Sequence, residues 1–261
     1  MRFKNKVVFI TGGTRGLGKA MAQGFLSEGA SVAVNDKDAE MVAGCVEEFR
    51  GKPLLAYTAD ITNYEEMEGV AAKVWDTWGR VDVLINGAGV VAPLVPAEKA
   101  RKADFDRVID VNLKGTFYVT QIFGRKMIGQ KSGRIISMSS QAAILGERGF
   151  LSYSISKAGL MTMTRNLAYE WGRYGITTCA IAPGFMAGGM NEGLLRKSDL
   201  VDFILKRTPV GKMGQVDELV ATILFLASPE AFYINGETLV FDGGATGYAP
   251  ETLLDVISKG R

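Results

Sequence analysis

Residues 7–18 read VVFITGGTRGLG, and this short stretch indicates the fold class. Its first four residues form an apolar, β-branched run, as in a strand that is covered on both faces. A turn with four glycines follows and leads into an amphipathic helical pattern over residues 18–27. A strand that turns directly into a helix is the unit from which sheets of parallel strands are built.

The same alternation continues along the chain. Further helical patterns cover residues 39–49, 63–78 and 152–174. The order predicts an α/β fold: a single-domain, Rossmann-like, doubly wound parallel sheet of about seven strands, with helices on both faces. The predicted strands are residues 7–10, 31–35, 54–58, 83–85, 134–137, 177–181 and 238–241.

The amino-acid composition restricts the kinds of partner that the chain is expected to bind. The chain has 261 residues and no linker or low-complexity segment, so we expect residues 1–261 to form one domain. Basic and acidic residues number 30 and 28 and are spread along the chain, which predicts neither a nucleic-acid nor a membrane partner. No signal peptide or long apolar run is evident, so a cytoplasmic location is expected.

The chain contains no histidine, which excludes Ser-His-Asp and Cys-His nucleophiles and every His-ligated metal site. Its two cysteines lie far apart in sequence, so neither a disulfide nor a metal site is expected. Proton chemistry must therefore use Tyr, Lys, Asp, Glu or Ser.

The glycine-rich turn predicts a pyrophosphate site. Glycines allow close approach of the backbone, and the start of the following helix offers free N–H groups and a positive dipole end. The GxxxGxG spacing differs from the general GxGxxG pattern, so a tight structural turn is the alternative. The candidate phosphate-binding residues are Gly12, Thr14, Arg15, Gly16, Leu17 and Gly18.

Asp36 ends the second predicted strand, where an acidic side chain would bond the adenosine ribose. Its charge would repel a 2′-phosphate, which favours NAD as the cofactor. Arg15 and Lys37 are the opposing signal, since either could pair with that phosphate, and NADP is therefore the alternative.

Tyr153 and Lys157 are four residues apart and share one face of a predicted helix. A phenol with a pKa of about 10 is a poor base at neutral pH, but a nearby ammonium group favours the phenolate. Tyr153 is therefore predicted to be the acid/base, with a chance pair of helical neighbours as the alternative.

With the glycine turn, Tyr153-Ser-Ile-Ser-Lys157 and Asn86-Gly-Ala-Gly89 in view, the chain resembles the short-chain dehydrogenase/reductase family over about residues 6–247. The resemblance implies an NAD(P)-dependent enzyme that moves a hydride between a nicotinamide and a secondary alcohol or ketone. It implies that Ser140 bonds the reacting oxygen, that Asn112 holds a water in a proton relay, and that Lys157 binds the nicotinamide ribose. Asn112, Ser140, Tyr153 and Lys157 are thus the expected catalytic set.

The resemblance also extends the cofactor site and departs from the family at two places. The usual paired Asn is Asn86-Gly87 here, and Gly188 stands where the family often has a Thr that meets the nicotinamide carboxamide. The orientation of that ring therefore stays open. The implied cofactor residues, beside Tyr153 and Lys157, are Asp60, Ile61, Asn86, Gly87, Ala88, Gly89, Pro183, Gly184 and Met186.

The substrate is less determined by the sequence. Residues 184–207 are predicted to form a substrate-side lid hinged on glycines. The substrate is expected to be a sugar acid, polyol or other hydroxy compound, with 3-oxoacyl thioester reduction, or a catalytically silent dinucleotide-binding regulator, as alternatives. The resemblance implies a homotetramer. The expected substrate-contacting residues are Ser140, Gln141, Phe150, Tyr153, Phe185 and Met190.

Overall fold

Seven parallel strands form one sheet in the computed structural model, which describes residues 1–187 and 198–247. All seven predicted strands are confirmed, with bounds that differ by at most two residues from those expected. The strands are β1 (Val7–Thr11), β2 (Ser31–Asp36), β3 (Leu54–Thr58), β4 (Val83–Asn86), β5 (Gly133–Met138), β6 (Ile176–Pro183) and β7 (Thr238–Phe241).

Helices connect consecutive strands. Helix α1 starts two residues earlier than expected, and α6 ends at Trp171, where a 3₁₀ turn takes over. The α-helices are α1 (Gly16–Ser27), α2 (Ala39–Glu48), α3 (Tyr64–Trp78), α4 (Lys102–Ile109), α5 (Thr116–Gln130), α6 (Leu151–Trp171), α7 (Ser198–Lys206) and α8 (Val216–Ala227).

The strand order is β3-β2-β1-β4-β5-β6-β7. Val8 of β1 therefore lies between Val32 of β2 and Val83 of β4. The direction of winding reverses between β1 and β4, and in such sheets ligands bind outside the carboxyl ends of the strands at that point.

Alternate residues of β1 face two separate apolar layers. Val8 and Ile10 belong to a core with residues of α1 and α8, whereas Val7 and Phe9 belong to a second core with residues of α3 and α5. Helices thus cover both faces, and the doubly wound architecture predicted from the sequence is confirmed.

The predicted lid lies only partly within the described residues. Its first part is tied down, since Met186 forms a parallel bridge with Gly214 and the Ala187 N–H donates to the Gly214 carbonyl at 2.9 Å. Its last part is α7, while residues 188–197 lie outside the described residues, so the lid stays a prediction. No helix among residues 1–187 and 198–247 has the length and apolar character needed to cross a membrane.

Candidate active site

The glycine turn is built for close backbone contacts. A Cβ on Gly18 would lie 2.0 Å from the carbonyl oxygen of Gly12, so α1 can start here only with glycine at this position. Gly12 has φ +65°, and a Cβ there would lie 3.0 Å from the Cα of Ala88. The turn thereby packs against the segment that follows β4.

The start of α1 is open to an anion. Its N-cap, Arg15, makes no side-chain capping bond within the described chain, and the first turn contains no acidic residue. The first N–H groups of α1, around Gly16 and Leu17, are therefore available to a phosphate, which the positive end of the helix dipole favours. These features fit the pyrophosphate of a dinucleotide.

Asp36 lies at the carboxyl end of β2 beside this turn. Its side chain is 8% exposed and accepts a hydrogen bond from the Thr14 hydroxyl at 2.7 Å. Arg15 forms a long ion pair with it, with 4.0 Å between Nε and Oδ2. The structure thus brings three of the predicted nucleotide residues together.

Hydrogen bonds hold the residues at the ends of β3 and β4. Asp60 accepts from the backbone N–H and hydroxyl of Thr62, at 2.9 and 2.8 Å. Asn86 donates to the hydroxyls of Thr120 and Ser137, at 2.9 and 3.2 Å, and so ties β4 to α5 and β5. Gly87 and Ala88 are fixed by donation from their backbone N–H groups to the Thr11 hydroxyl.

Tyr153, Lys157 and Ser140 come together, as the sequence predicted. The Lys157 ammonium lies 5.7 Å from the centroid of the Tyr153 ring and donates to the Met138 carbonyl at 2.7 Å. Ser140 ends the loop after β5, where its hydroxyl also accepts from the Ala142 N–H at 3.2 Å. The three side chains line one corner at the carboxyl end of β5.

The pKa of Tyr153 shifts in the opposite direction from the one that the sequence suggested. Burial raises the pKa of the Tyr153 phenol, and hydrogen bonding with the Ser140 side chain lowers it by a smaller amount. Burial also lowers the pKa of Lys157 to about 8. The lowering of the Tyr153 pKa by Lys157 that the sequence suggested is not found: burial sets the direction of the shift, and the hydrogen bond with Ser140 is what opposes it.

Asn112 links the loop after β4 to the catalytic helix. Its Oδ1 accepts from the Val90 N–H at 2.7 Å, and its Nδ2 donates to the Val90 carbonyl at 2.9 Å and to the Ser156 hydroxyl at 3.1 Å. Ser156 in turn donates to the Tyr153 carbonyl at 2.7 Å. A Cβ on Gly89 would lie 3.3 Å from both Asn112 Oδ1 and Lys157 Nζ, so these groups form one cluster.

The backbone around Asn112 is irregular. Residues Asp110–Gly115 form a π-helical segment between α4 and α5. A Cβ on Gly115 would lie 2.8 Å from the Ile61 side chain, which brings the segment after β3 close to the same helix. Wider turns of this kind often mark functional sites.

The expected substrate-contacting residues are spread around Tyr153. The Phe150 ring lies edge-on to the Tyr153 ring, with centroids 6.1 Å apart. Gln141 is 6% exposed and contacts the Pro183–Gly184 turn, since its Oε1 is 2.9 Å from the position of a Cβ on Gly184. Phe185 is half-buried, and Met190 lies outside the described residues.

Met186 was expected at the nicotinamide, and its side chain lies in the apolar core with α1 and α8. It is 3% exposed, and its sulfur would lie 2.7 Å from a Cβ on Gly214. Any contact of this residue with a nucleotide must therefore use its backbone.

Sequence reasoning did not identify several groups that build the site. Met138 and Val90 act through their backbone, which leaves no trace in the residue type. The Ser139 hydroxyl donates to the Lys157 carbonyl at 3.0 Å and Ser156 bridges Asn112 to α6. Both serines lie next to predicted catalytic residues, which was the one available signal.

Comparisons with known proteins agree with this geometry. A family model described as enoyl-(acyl carrier protein) reductase matches residues 12–246. The chain is 41% identical over 251 residues to the (2S)-[(R)-hydroxy(phenyl)methyl]succinyl-CoA dehydrogenase subunit BbsD of Thauera aromatica, covering 95% of this chain and 100% of that protein. It is 39% identical to the 3-oxoacyl-[acyl-carrier-protein] reductase FabG of Thermotoga maritima, covering 94% of this chain and 99% of that protein.

Solved structures give the same result. A gluconate 5-dehydrogenase from Burkholderia cenocepacia, in complex with NADP and tartrate, superposes with a TM-score of 0.90 at 32% identity, over 95% of this chain and 98% of that one. Since these matches span nearly the whole chain and share its sheet, the protein belongs to the short-chain dehydrogenase/reductase family of oxidoreductases.

Proposed function

We propose that this protein transfers a hydride between NAD and a secondary alcohol or ketone, with Tyr153 as the acid/base. The observation that carries the proposal is the corner at the end of β5, where the Tyr153 phenol meets Ser140 and lies beside the buried ammonium of Lys157. A phenol, a hydroxyl and a buried amine at one corner are the groups that proton transfer at a carbinol oxygen requires.

The bound nicotinamide supplies or accepts the hydride. In the reducing direction, the Tyr153 phenol donates its proton to the carbonyl oxygen while the Ser140 hydroxyl holds that oxygen by a hydrogen bond. In the oxidising direction, Tyr153 takes the hydroxyl proton. The raised pKa of Tyr153 keeps the free protein in the acid form, so the residue is ready to donate.

Lys157 controls the charge next to the phenol. Its pKa of about 8 leaves it mostly protonated at neutral pH. A positive charge within the same buried corner stabilises a phenolate formed during the reaction. The side chain of Asn112 is held by Val90 and Ser156, and its proposed role is to order a water that returns protons to Lys157.

NAD is the proposed cofactor because of Asp36. Its buried carboxylate lies at the end of β2, where it would accept a hydrogen bond from the adenosine ribose, and its negative charge would repel a 2′-phosphate. Arg15, one of the two cations that could offset this, is already paired with Asp36. The relative solved with NADP leaves NADP as the alternative.

The proposed substrates are sugar acids, polyols or related hydroxy compounds, and 3-oxoacyl thioesters are the second candidate. Relatives named for both activities match over nearly the full chain, including the gluconate 5-dehydrogenase of Gluconobacter oxydans at 35% identity. A homotetramer is proposed as well. Half-exposed apolar side chains support it, since Leu239 and Val240 lie on the edge strand β7 and Phe117 and Ile155 on helices.

The test is Tyr153→Phe. Turnover should fall by about 100-fold or more, because proton transfer loses its acid/base, while the dissociation constant of the nucleotide should change little. Nicotinamide absorbance measures turnover, and quenching of protein fluorescence measures binding. Undiminished turnover in a folded Tyr153→Phe variant would show that another group exchanges the proton.

A further inference from the structure

The buried side chain of Gln141 carries a hydrogen-bonding group without a partner in the described chain. The residue follows Ser140 directly and is 6% exposed. Its side-chain oxygen Oε1 is enclosed and has no hydrogen-bond partner in the described chain. A buried carbonyl oxygen without a hydrogen-bond donor is costly and rare in native proteins. We therefore expect a bound ligand to donate a hydrogen bond to this oxygen.

The position of Gln141 is fixed by its backbone. Its carbonyl accepts from the N–H groups of Ile144 and Leu145, at 2.9 and 3.0 Å, within the 3₁₀ turn Gln141–Ala143 that Ser140 caps. On the opposite side, the Gly184 N–H donates to the Phe241 carbonyl at 2.8 Å, so this wall is also held. The amide therefore lies between two rigid turns, one of which holds Ser140.

Gly184 leaves room for this amide. A Cβ there would approach Oε1 to 2.9 Å and the Cα of Asp242 to 2.9 Å. The terminal torsion of a glutamine is broad, so the amide can rotate toward a ligand without movement of the backbone. The turn that Ser140 caps therefore also holds this acceptor, whose partner is left to a ligand.

We propose that Gln141 is a specificity-determining residue that accepts a hydrogen bond from a second hydroxyl of the substrate, close to the carbon that is oxidised. This inference rests on the proposed function and chooses between its two substrate classes. A polyol or sugar acid offers a hydroxyl donor beside the reacting carbon. A 3-oxoacyl thioester has only carbonyl acceptors and methylene groups there, so Oε1 would stay unpaired.

The experiment compares alcohols that differ by one neighbouring hydroxyl: 2,3-butanediol with 2-butanol, and 1,2-cyclohexanediol with cyclohexanol. Acetoacetyl-coenzyme A is the thioester probe. Wild type, Gln141→Leu and Gln141→Met are assayed for kcat/KM at saturating nucleotide, and the dissociation constant of the nucleotide is measured separately. Both replacements keep the bulk of the side chain and remove an unpaired polar group, so neither should impair folding.

Gln130→Leu is the matched control. Gln130 also has an enclosed Oε1 without a partner in the described chain, but it lies at the end of α5, where its amide nitrogen donates to the carbonyls of Val81 and Ser132. It is remote from Tyr153, so the same chemical change there should leave substrate preference alone.

We expect the wild type to prefer each diol over its mono-alcohol. This preference should fall about 10-fold to 100-fold in both Gln141 variants but not in Gln130→Leu, while the nucleotide affinity stays unchanged.

An unchanged diol preference in the Gln141 variants overturns the inference. So does a wild type that reduces acetoacetyl-coenzyme A but turns over neither diol. A nucleotide affinity that falls with the diol preference would assign the amide to the nicotinamide carboxamide instead. If wild type acts on none of these compounds, the proposed function itself fails.

Discussion

Lys157 is 4% exposed, and burial lowers the pKa of its ammonium group from 10.5 to about 8. The folded protein therefore holds this charge at an energetic cost. Below about pH 8 both the folded and the unfolded chain carry the proton, and the cost is present in full. Between pH 8 and 10.5 the folded chain loses the proton first, so the contribution of Lys157 to the free energy of unfolding rises with pH.

Lys157→Met should accordingly stabilise the free protein at pH 7 by about 1–3 kcal/mol, after allowance for the lost bond to the Met138 carbonyl. Turnover should fall by about 100-fold or more, because the charge beside Tyr153 is gone. Thermal denaturation from pH 7 to 10.5 checks the first expectation, and the gap between variant and wild type should narrow as pH rises. Lys52→Met, at an exposed site, is the control. If Lys157→Met is less stable than wild type at pH 7, the buried charge does not destabilise the free protein.

The end of β2 is joined to the turn before α1 by the bond from Thr14 to Asp36, and we propose that this junction sets the cofactor preference. Asp36→Ala removes the carboxylate that accepts from Thr14 and would accept from the ribose. We expect NAD to bind about 10-fold more weakly, and the preference for NAD over NADP to fall by about 10-fold to 100-fold, since repulsion of the 2′-phosphate is lost.

Titration of both nucleotides, followed by protein fluorescence, measures this preference. Asp38→Ala is the matched control, because the side chain of Asp38 caps α2 by accepting from the N–H groups of Glu40 and Met41, at 3.0 and 3.3 Å, and its backbone bond to Asp36 is kept. The control should keep the wild-type ratio. A wild type that already prefers NADP would mean that Arg15 and Lys37 outweigh Asp36.

Regular elements were predictable where the local pattern is complete. Apolar runs such as residues 83–85 identify buried strands by themselves, and the glycines up to Gly18 identify a turn into a helix, although that helix starts two residues earlier than expected. The π-helical segment Asp110–Gly115 was not predictable. It accompanies the bonds from Asn112 to Val90 and Ser156, which join three distant parts of the chain.

In the site, too, some features were predictable from the sequence and others were not. Tyr153 and Lys157 were predicted from residue type and spacing, and Ser140 was implied by the family resemblance. The direction of the Tyr153 pKa was not, because it depends on how far the fold removes the phenol from water. The unpaired oxygen of Gln141 was equally invisible, since only the packing of Gly184 against Asp242 encloses it.

Across the whole molecule, the two edges of the sheet have different roles. The proposed chemistry lies at the carboxyl edge, whereas Arg134 lies near the start of β5 at the amino edge and is 6% exposed. Its guanidinium donates to the Leu226 carbonyl at 2.6 Å, the Thr177 hydroxyl at 2.7 Å and the Ile234 carbonyl at 2.8 Å. It thereby joins two strands, the end of α8 and the segment before β7.

No carboxylate pairs with Arg134 within the described residues, and burial lowers its pKa. The negative end of α8, at Leu226, and the two other acceptors must offset the buried charge.

Arg134→Met removes both the charge and the donors. It leaves two carbonyls unpaired, and each unpaired carbonyl costs about 1–3 kcal/mol of stability. We expect the free energy of unfolding to fall by about 2–4 kcal/mol, while nucleotide affinity below the unfolding transition stays that of wild type. Urea denaturation and nucleotide titration measure the two quantities. A variant as stable as wild type would show that desolvation of the guanidinium cancels its bonds, and a loss of nucleotide affinity would show that the two edges are coupled.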